Sequence, residues 1–150
     1  MLVSYLGGTR KTISVMQLYE RNYCRLQCLI PDIELIGQRM EKSVVGESQI
    51  MLNAVEQFKY TSVITLIQPL GDEDIYLSDP RMNIRVYHDA RVAEVLSFQN
   101  HGYFRPKYDY PNPCMYQPRE KKRVNLFLSE WLDFLIREGH RFAPHGMKEL

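Results

Sequence analysis

Apolar side chains recur along this chain with two different periods, and the changes of period divide it into three parts. Val15, Tyr19, Tyr23, Leu26 and Ile30 follow one another at intervals of three or four, the spacing of one face of an α-helix. Ser14 stands before them and Gln17 three residues later, which predicts a capping box: the serine hydroxyl meets the Gln17 backbone N–H and the Gln17 amide reaches back. Pro31 disfavours helical geometry at Ile30 and ends the helix there. Residues 32–46 contain Gly37 and Gly46 and lack a clear period, so a connector with a short strand or turn is all they predict.

From Glu47 to Phe98 the period becomes two. Residues 48–55 place Ile50, Leu52 and Ala54 on one face, and 56–60 supply a polar turn. Residues 61–68 (TSVITLIQ) are nearly all β-branched or aliphatic and read as a central strand covered on both sides. Pro69, Gly71, Asp72 and Asp74 end it, and 75–77 predict a short edge piece. Residues 82–87 and 91–98 alternate around the turn His88-Asp89-Ala90, the signature of an antiparallel hairpin. Regularity then fails until Pro118, which suits a first helical turn. Val124, Phe127, Leu128, Trp131, Leu132 and Leu135 give the last helix a broad apolar face, and Gly139 is placed to cap it in a left-handed conformation. Helix, four to five strands, helix is an α+β fold: an antiparallel meander sheet with an N-terminal and a C-terminal helix packed on it.

Length and composition narrow this little further. The 150 residues make one domain of ordinary globular composition, with 1–12 and 141–150 expected to be loosely ordered. Net charge is +1, so no global field marks a nucleic-acid or membrane binder. Its distribution is less even. Residues 99–123 hold six Lys or Arg against two Asp or Glu, a local +4 that leaves the rest at −3. An odd set of cysteines (Cys24, Cys28, Cys114) argues against a disulfide framework and for a reducing cytoplasm, with Cys24 and Cys28 read as ordinary buried thiols. No apolar run is long enough to span a membrane, and the N-terminus lacks a leader pattern.

Catalytic motifs are not evident. Gly7-Gly8 lacks the rest of a phosphate loop, and no zinc-ligand spacing, nucleophile elbow or paired catalytic carboxylates occur, so no cofactor or metal is expected. His88 beside Asp89 could form an acid–base pair, although a turn Asp commonly bonds its own backbone. The sharper candidate is residues 98–116. There Tyr103, Arg105, Lys107, Tyr108, Asp109 and Tyr110 interleave aromatic and charged groups in a stretch without periodicity. These rings could fold back onto the sheet and fill core with their hydroxyls at the rim; as a binding surface, Tyr and Arg, which dominate protein interfaces, point first to a protein partner. Rings that stack on bases while cations follow phosphates point second to a nucleotide or nucleic acid, and an enzyme acting on such a substrate. Arg119, Lys121, Lys122 and Arg123 at the start of the last helix oppose its dipole, which fits a solvated face first and, beyond that, an anionic partner or acidic side chains elsewhere that meet this end. Oligomeric state is not encoded in these features.

Four strings carry a family resemblance: KYTSVITLIQ (Lys59–Gln68), NIRVYHDARVAEV (Asn83–Val95), KYDYPN (Lys107–Asn112) and NLFLSEWLDFLIREG (Asn125–Gly139). In this order the chain resembles the YqiB-like family of proteobacterial proteins, a domain of unknown function. The resemblance implies a small cytoplasmic bacterial protein. It carries over no activity, cofactor or catalytic residue.

Overall fold

The structure, a computed structural model, describes residues 13–69, 79–99 and 118–144. In chain order these form α1 (Val15–Leu29), a short 3₁₀ turn (Ile33–Leu35), β1 (Arg39–Val45), β2 (Ser48–Gln57), β3 (Thr61–Ile67), β4 (Arg81–Tyr87), β5 (Val92–Gln99) and α2 (Pro118–Arg137). The strands pair in that order, each antiparallel to the next. This is the α+β meander that the change of period predicts. The possible edge piece at 75–77 lies outside the described residues.

One sheet face carries the core. Ile50, Leu52 and Ala54 of β2, Ile64 and Leu66 of β3, Met82, Ile84 and Val86 of β4, and Ala93 and Val95 of β5 are all buried. Against them pack Tyr23, Leu26 and Leu29 of α1 and Val124, Leu128, Leu132 and Leu135 of α2. Each such aliphatic side chain removed from water contributes roughly 1.5–3 kcal/mol. On the reverse face Thr65 and Ile67 are also buried, as expected for a central strand. There a polar ladder runs across three strands: the Thr65 hydroxyl donates to Asn83 Oδ1 at 2.6 Å, and Asn83 Nδ2 donates to Ser97 Oγ at 2.8 Å.

The strand β1 is hidden from a reading of hydrophobicity because its alternation is inverted. Arg39, Glu41 and Ser43 pair with Ala54, Leu52 and Ile50 and so share the helix-covered face. Met40 and Val44 point to the other side and are exposed. Arg39 is accommodated by a two-pronged pair with Asp32, at 3.0 and 3.2 Å, and by Glu41 at 3.3 Å. A planar guanidinium matched by two carboxylates tolerates burial that a lone charge would not.

The predicted caps form. The Ser14 hydroxyl accepts from Gln17 N–H at 3.1 Å, and Ser14 N–H donates to the Gln17 amide at 2.8 Å. Gly139 takes a φ of 99°, with its N–H on Ile136 O and the next N–H, from His140, on Leu135 O. Those two bonds close the end of α2 as a Schellman motif. Beyond it Phe142 is buried in the core, and its N–H donates to Leu29 O at 2.8 Å, satisfying a terminal carbonyl of α1.

The helices meet each other and the sheet at buried polar groups. The actual stripe of α1 is Leu18, Asn22, Tyr23, Leu26 and Leu29, with an asparagine at its centre. Asn22 Nδ2 donates to Asn125 O at 3.2 Å, and Arg25 donates to the Ser129 carbonyl and hydroxyl, each at 2.8 Å. The two contacts advance together along both helices, so α1 and α2 run in the same direction. Asn125 also accepts from Val95 N–H at 3.1 Å and donates to Lys121 O at 2.8 Å. Lys121 in turn donates to Val95 O at 3.1 Å and pairs with Glu94 at 3.0 Å. Burial pushes the Glu94 carboxyl up, but hydrogen bonds from the Tyr87 hydroxyl and Lys121, with the charges of Lys121 and Arg85, leave it below the usual range. Next to this contact β5 carries an extra residue, Leu96, opposite the step from Asn83 to Ile84. The bulge and the helix-bound backbone groups together blunt an edge strand.

His140, the residue after Gly139, is buried between Ser43 Oγ on Nδ1 and Ser48 Oγ on Nε2, both at 2.8 Å. Burial holds the imidazole below its ordinary pKa, against a smaller opposing pull from Glu138.

Two measurements check this account. Asn125→Ala leaves the buried Val95 N–H without its partner and should lower unfolding free energy by about 1–3 kcal/mol in urea titrations. Because His140 titrates lower when folded than the unfolded value of about 6.5, its contribution is complete above that pH and is lost as pH falls toward and through the folded value. Melting temperature should therefore drop between about pH 7.5 and 5.5, and His140→Gln should lessen that drop.

Candidate binding surface

The β4–β5 turn holds the two candidate residues that fall within the described structure. His88 and Asp89 lie there; Tyr103, Arg105, Lys107, Tyr108, Asp109 and Tyr110 lie outside the described residues. The His88 N–H donates to Tyr60 O at 2.8 Å, which fixes this turn against the β2–β3 turn. His88 Nε2 lies 2.8 Å from Ser62 Oγ, on a fully buried serine. Its Nδ1 is sealed from solvent without a hydrogen-bond partner. A bare buried lone pair costs less than a bare buried N–H, so we assign the proton to Nε2, donating to Ser62. In that tautomer His88 does not activate the Ser62 hydroxyl. Burial holds the His88 imidazole below its ordinary pKa, with Glu34 and Asp89 pulling weakly the other way. Asp89 remains exposed and accepts from Ala90 N–H at 2.9 Å, so its carboxylate also serves the turn.

Arg91 completes the turn in a left-handed conformation, φ 56°, unusual for a residue with a side chain. The residue thus belongs to the turn, and β5 starts at Val92. Its guanidinium lies 5.0 Å from the centre of the Tyr23 ring, donates to Gln27 at 3.1 Å and approaches Glu34 at 4.0 Å. These contacts tie the hairpin end to α1 and the 3₁₀ turn and offset the backbone strain.

Around this end the chain exposes large apolar groups. Phe58 is 56% and Tyr60 52% exposed in the β2–β3 turn, with the Lys59 ammonium 5.2 Å from the Tyr60 ring. Leu35, at 79%, projects from the 3₁₀ turn. That turn is held to β2 by Gln57, whose amide accepts from Gly37 N–H and donates to Glu34 O. The sequence marks 56–60 only as a polar turn, although its two aromatic residues were the available signal. The pairing of Ser62 with His88 left none, because the partners stand on different strands.

Elsewhere the thiols depart from expectation. Cys24 and Cys28 are exposed and unpaired on α1, because the helix buries the face set by Asn22, Leu26 and Leu29; Cys114 lies outside the described residues. Among the described residues no group of three or more His, Cys, Asp or Glu is disposed to hold a metal ion. Nor is any described helix long and apolar enough to cross a membrane.

Comparison with known proteins adds a family. The uncharacterized protein YqiB of Escherichia coli K12 is 37% identical over 130 residues, which cover 87% of this chain and 91% of that protein. The YqiB proteins of E. coli O6:H1 and O157:H7 match to the same extent. No solved structure matches. Residues 25–141 match the model of DUF1249, a protein family of unknown function, and that span runs from the middle of α1 to the end of the Gly139 cap: this chain belongs to that YqiB-like family.

Proposed function

We propose that this protein is a non-catalytic binding or regulatory protein of the bacterial cytoplasm, which docks a protein partner at the hairpin end of its sheet. One observation carries the reading. Phe58, Lys59 and Tyr60 stand exposed on a turn braced against His88, whose own ring nitrogens face the protein interior. Aromatic and cationic side chains on a firmly held turn are the material of interface hot spots, and grouped exposed apolar side chains mark interaction sites. Leu35 and the charged pair Arg91–Glu34 extend the patch. Exposed thiols at Cys24 and Cys28 suit a reducing compartment.

The stretch 98–116 joins this reading through its sequence, with Tyr103, Arg105, Lys107, Tyr108 and Tyr110 as further anchors and Asp109 among them. Its composition is that of an interface, and it starts from the Gln99 end of β5, across the sheet from the His88 turn.

Affinity capture from the native host should yield a partner that is lost with Phe58→Ser/Tyr60→Ser and with Arg105→Ala/Tyr108→Ala. Both double variants should keep a melting temperature within a few degrees of the parent, because on this reading the side chains serve a partner and not the core. A large fall in melting temperature would return the substituted residues to the core. If instead nucleotides or single-stranded DNA raise the melting temperature of the parent, with salt-sensitive binding, a nucleotide- or nucleic-acid-handling role replaces this one.

A further inference from the structure

The apolar face of α2 is wider than the core it covers. Val124, Leu128, Leu132 and Leu135 are buried, while Phe127 is 43% and Phe134 53% exposed and Trp131 is only partly covered. Phe127, Trp131 and Phe134 stand at i, i+4 and i+7, on the side of α2 away from the Asn125 and Ser129 contacts with α1. Phe127 stacks on Trp131, with ring centres 6.0 Å apart and planes at 18°, and meets Phe98 at 5.5 Å. Phe98 pairs with Met82 at the start of β4, so this surface lies at the opposite end of the sheet from the His88 turn. It does not depend on the docking reading of that turn.

Toward its N-terminus the same stripe carries Arg123 and Arg119, four and eight residues before Phe127, both exposed. Lys121 pairs with Glu94 and Arg137 with Asp133, but Arg119, Lys122 and Arg123 make no ion pair among the described residues. Only Glu120 offsets them locally, and all three oppose the helix dipole at that end. Among the described residues no other acidic group offsets that cost, and an anionic group arriving from outside would relieve it. Toward the C-terminus the balance turns acidic: Glu130, Asp133 and Glu138 lie along or beside that half of the stripe, against Arg137, which pairs with Asp133, so a lipid surface or nucleic-acid strand laid along the helix would meet like charge there.

We propose that this stripe of α2 docks an acidic amphipathic segment of a partner protein. Carboxylates of the segment pair with Arg119 and Arg123, and its apolar side chains cover Phe127, Trp131 and Phe134. From Arg119 to Phe134 the stripe is about 22 Å long, so a helical segment of about 16 residues matches it.

Selection of random peptides of that length on the full chain, counter-selected on Phe127→Ser/Phe134→Ser, tests this. The expected winners hold Asp or Glu toward one end and apolar residues at helical spacing. Their binding should shift the emission of Trp131, the chain's single tryptophan, and weaken about tenfold or more with Arg119→Glu/Arg123→Glu. The parent melting temperature should be retained, since both arginines are exposed and acidic replacements favour the helix dipole. No enriched sequence, winners without acidic bias, or binding indifferent to the arginine reversal would each overturn the proposal. So would a Trp131 response to phosphatidylglycerol vesicles or an oligothymidine strand in the absence of any response to the selected peptides.

Discussion

One buried residue, Asn125, joins the sheet to both helices of this molecule. Its amide oxygen accepts from β5, its amide nitrogen donates within α2, and its backbone carbonyl accepts from Asn22 of α1. A helix lying on a sheet normally has freedom to slide, because apolar contacts are non-directional. Hydrogen bonds in a dry environment lack that tolerance, since a partner moved by an ångström leaves a buried polar atom unpaired. Asn125 and its neighbour Lys121 thus fix where α2 crosses the sheet, and Asn22 and Arg25 fix where α1 lies against α2.

Much else follows from that placement. With α2 held at the β5 edge, its buried face reaches only as far as Val124, Leu128, Leu132 and Leu135. The aromatic residues on its flank are left at the rim, Phe127 stacked on Trp131 and tilted against Phe98. With α1 set by Asn22, its next residues over are Tyr23, which receives Arg91, and Cys24, which faces outward. Both exposed aromatic surfaces therefore border elements whose positions are dictated by buried polar contacts. Rigid placement of this kind lowers the ordering cost of binding.

Two histidines with the same chemistry mark the two ends of the sheet. His140 closes the β1–β2 end between two serine hydroxyls, and His88 closes the β2–β3 end on a third. Each is depressed in pKa chiefly by burial, and each uses its ring to satisfy the fold. A histidine beside an aspartate in a turn invites a catalytic reading from sequence. Here the partner that matters is Ser62 from the adjacent strand, at the core side of the sheet, and the aspartate bonds its own turn.

The linear chain by itself determined the elements whose side chains alternate in the ordinary sense. The Ser14 capping box, the 3.6-residue stripe of α2, the Gly139 cap, the central strand and the 82–98 hairpin are local consequences of side-chain size, branching and polarity, so they could be read in order and assembled into the meander. Tertiary structure decided the rest. It placed Arg39 and Glu41 inward on β1, where paired charges offset burial and invert the alternation that marks a strand. It placed Asn22 in the middle of a helical stripe and turned Cys24 and Cys28 outward. It also chose which aromatic residues of α2 enter the core and which remain at its rim. Arg39 finds its carboxylates nearby in the chain, but for Asn22 and the α2 face the deciding partner lies far away, and a polar group's tolerance for burial depends on such a partner.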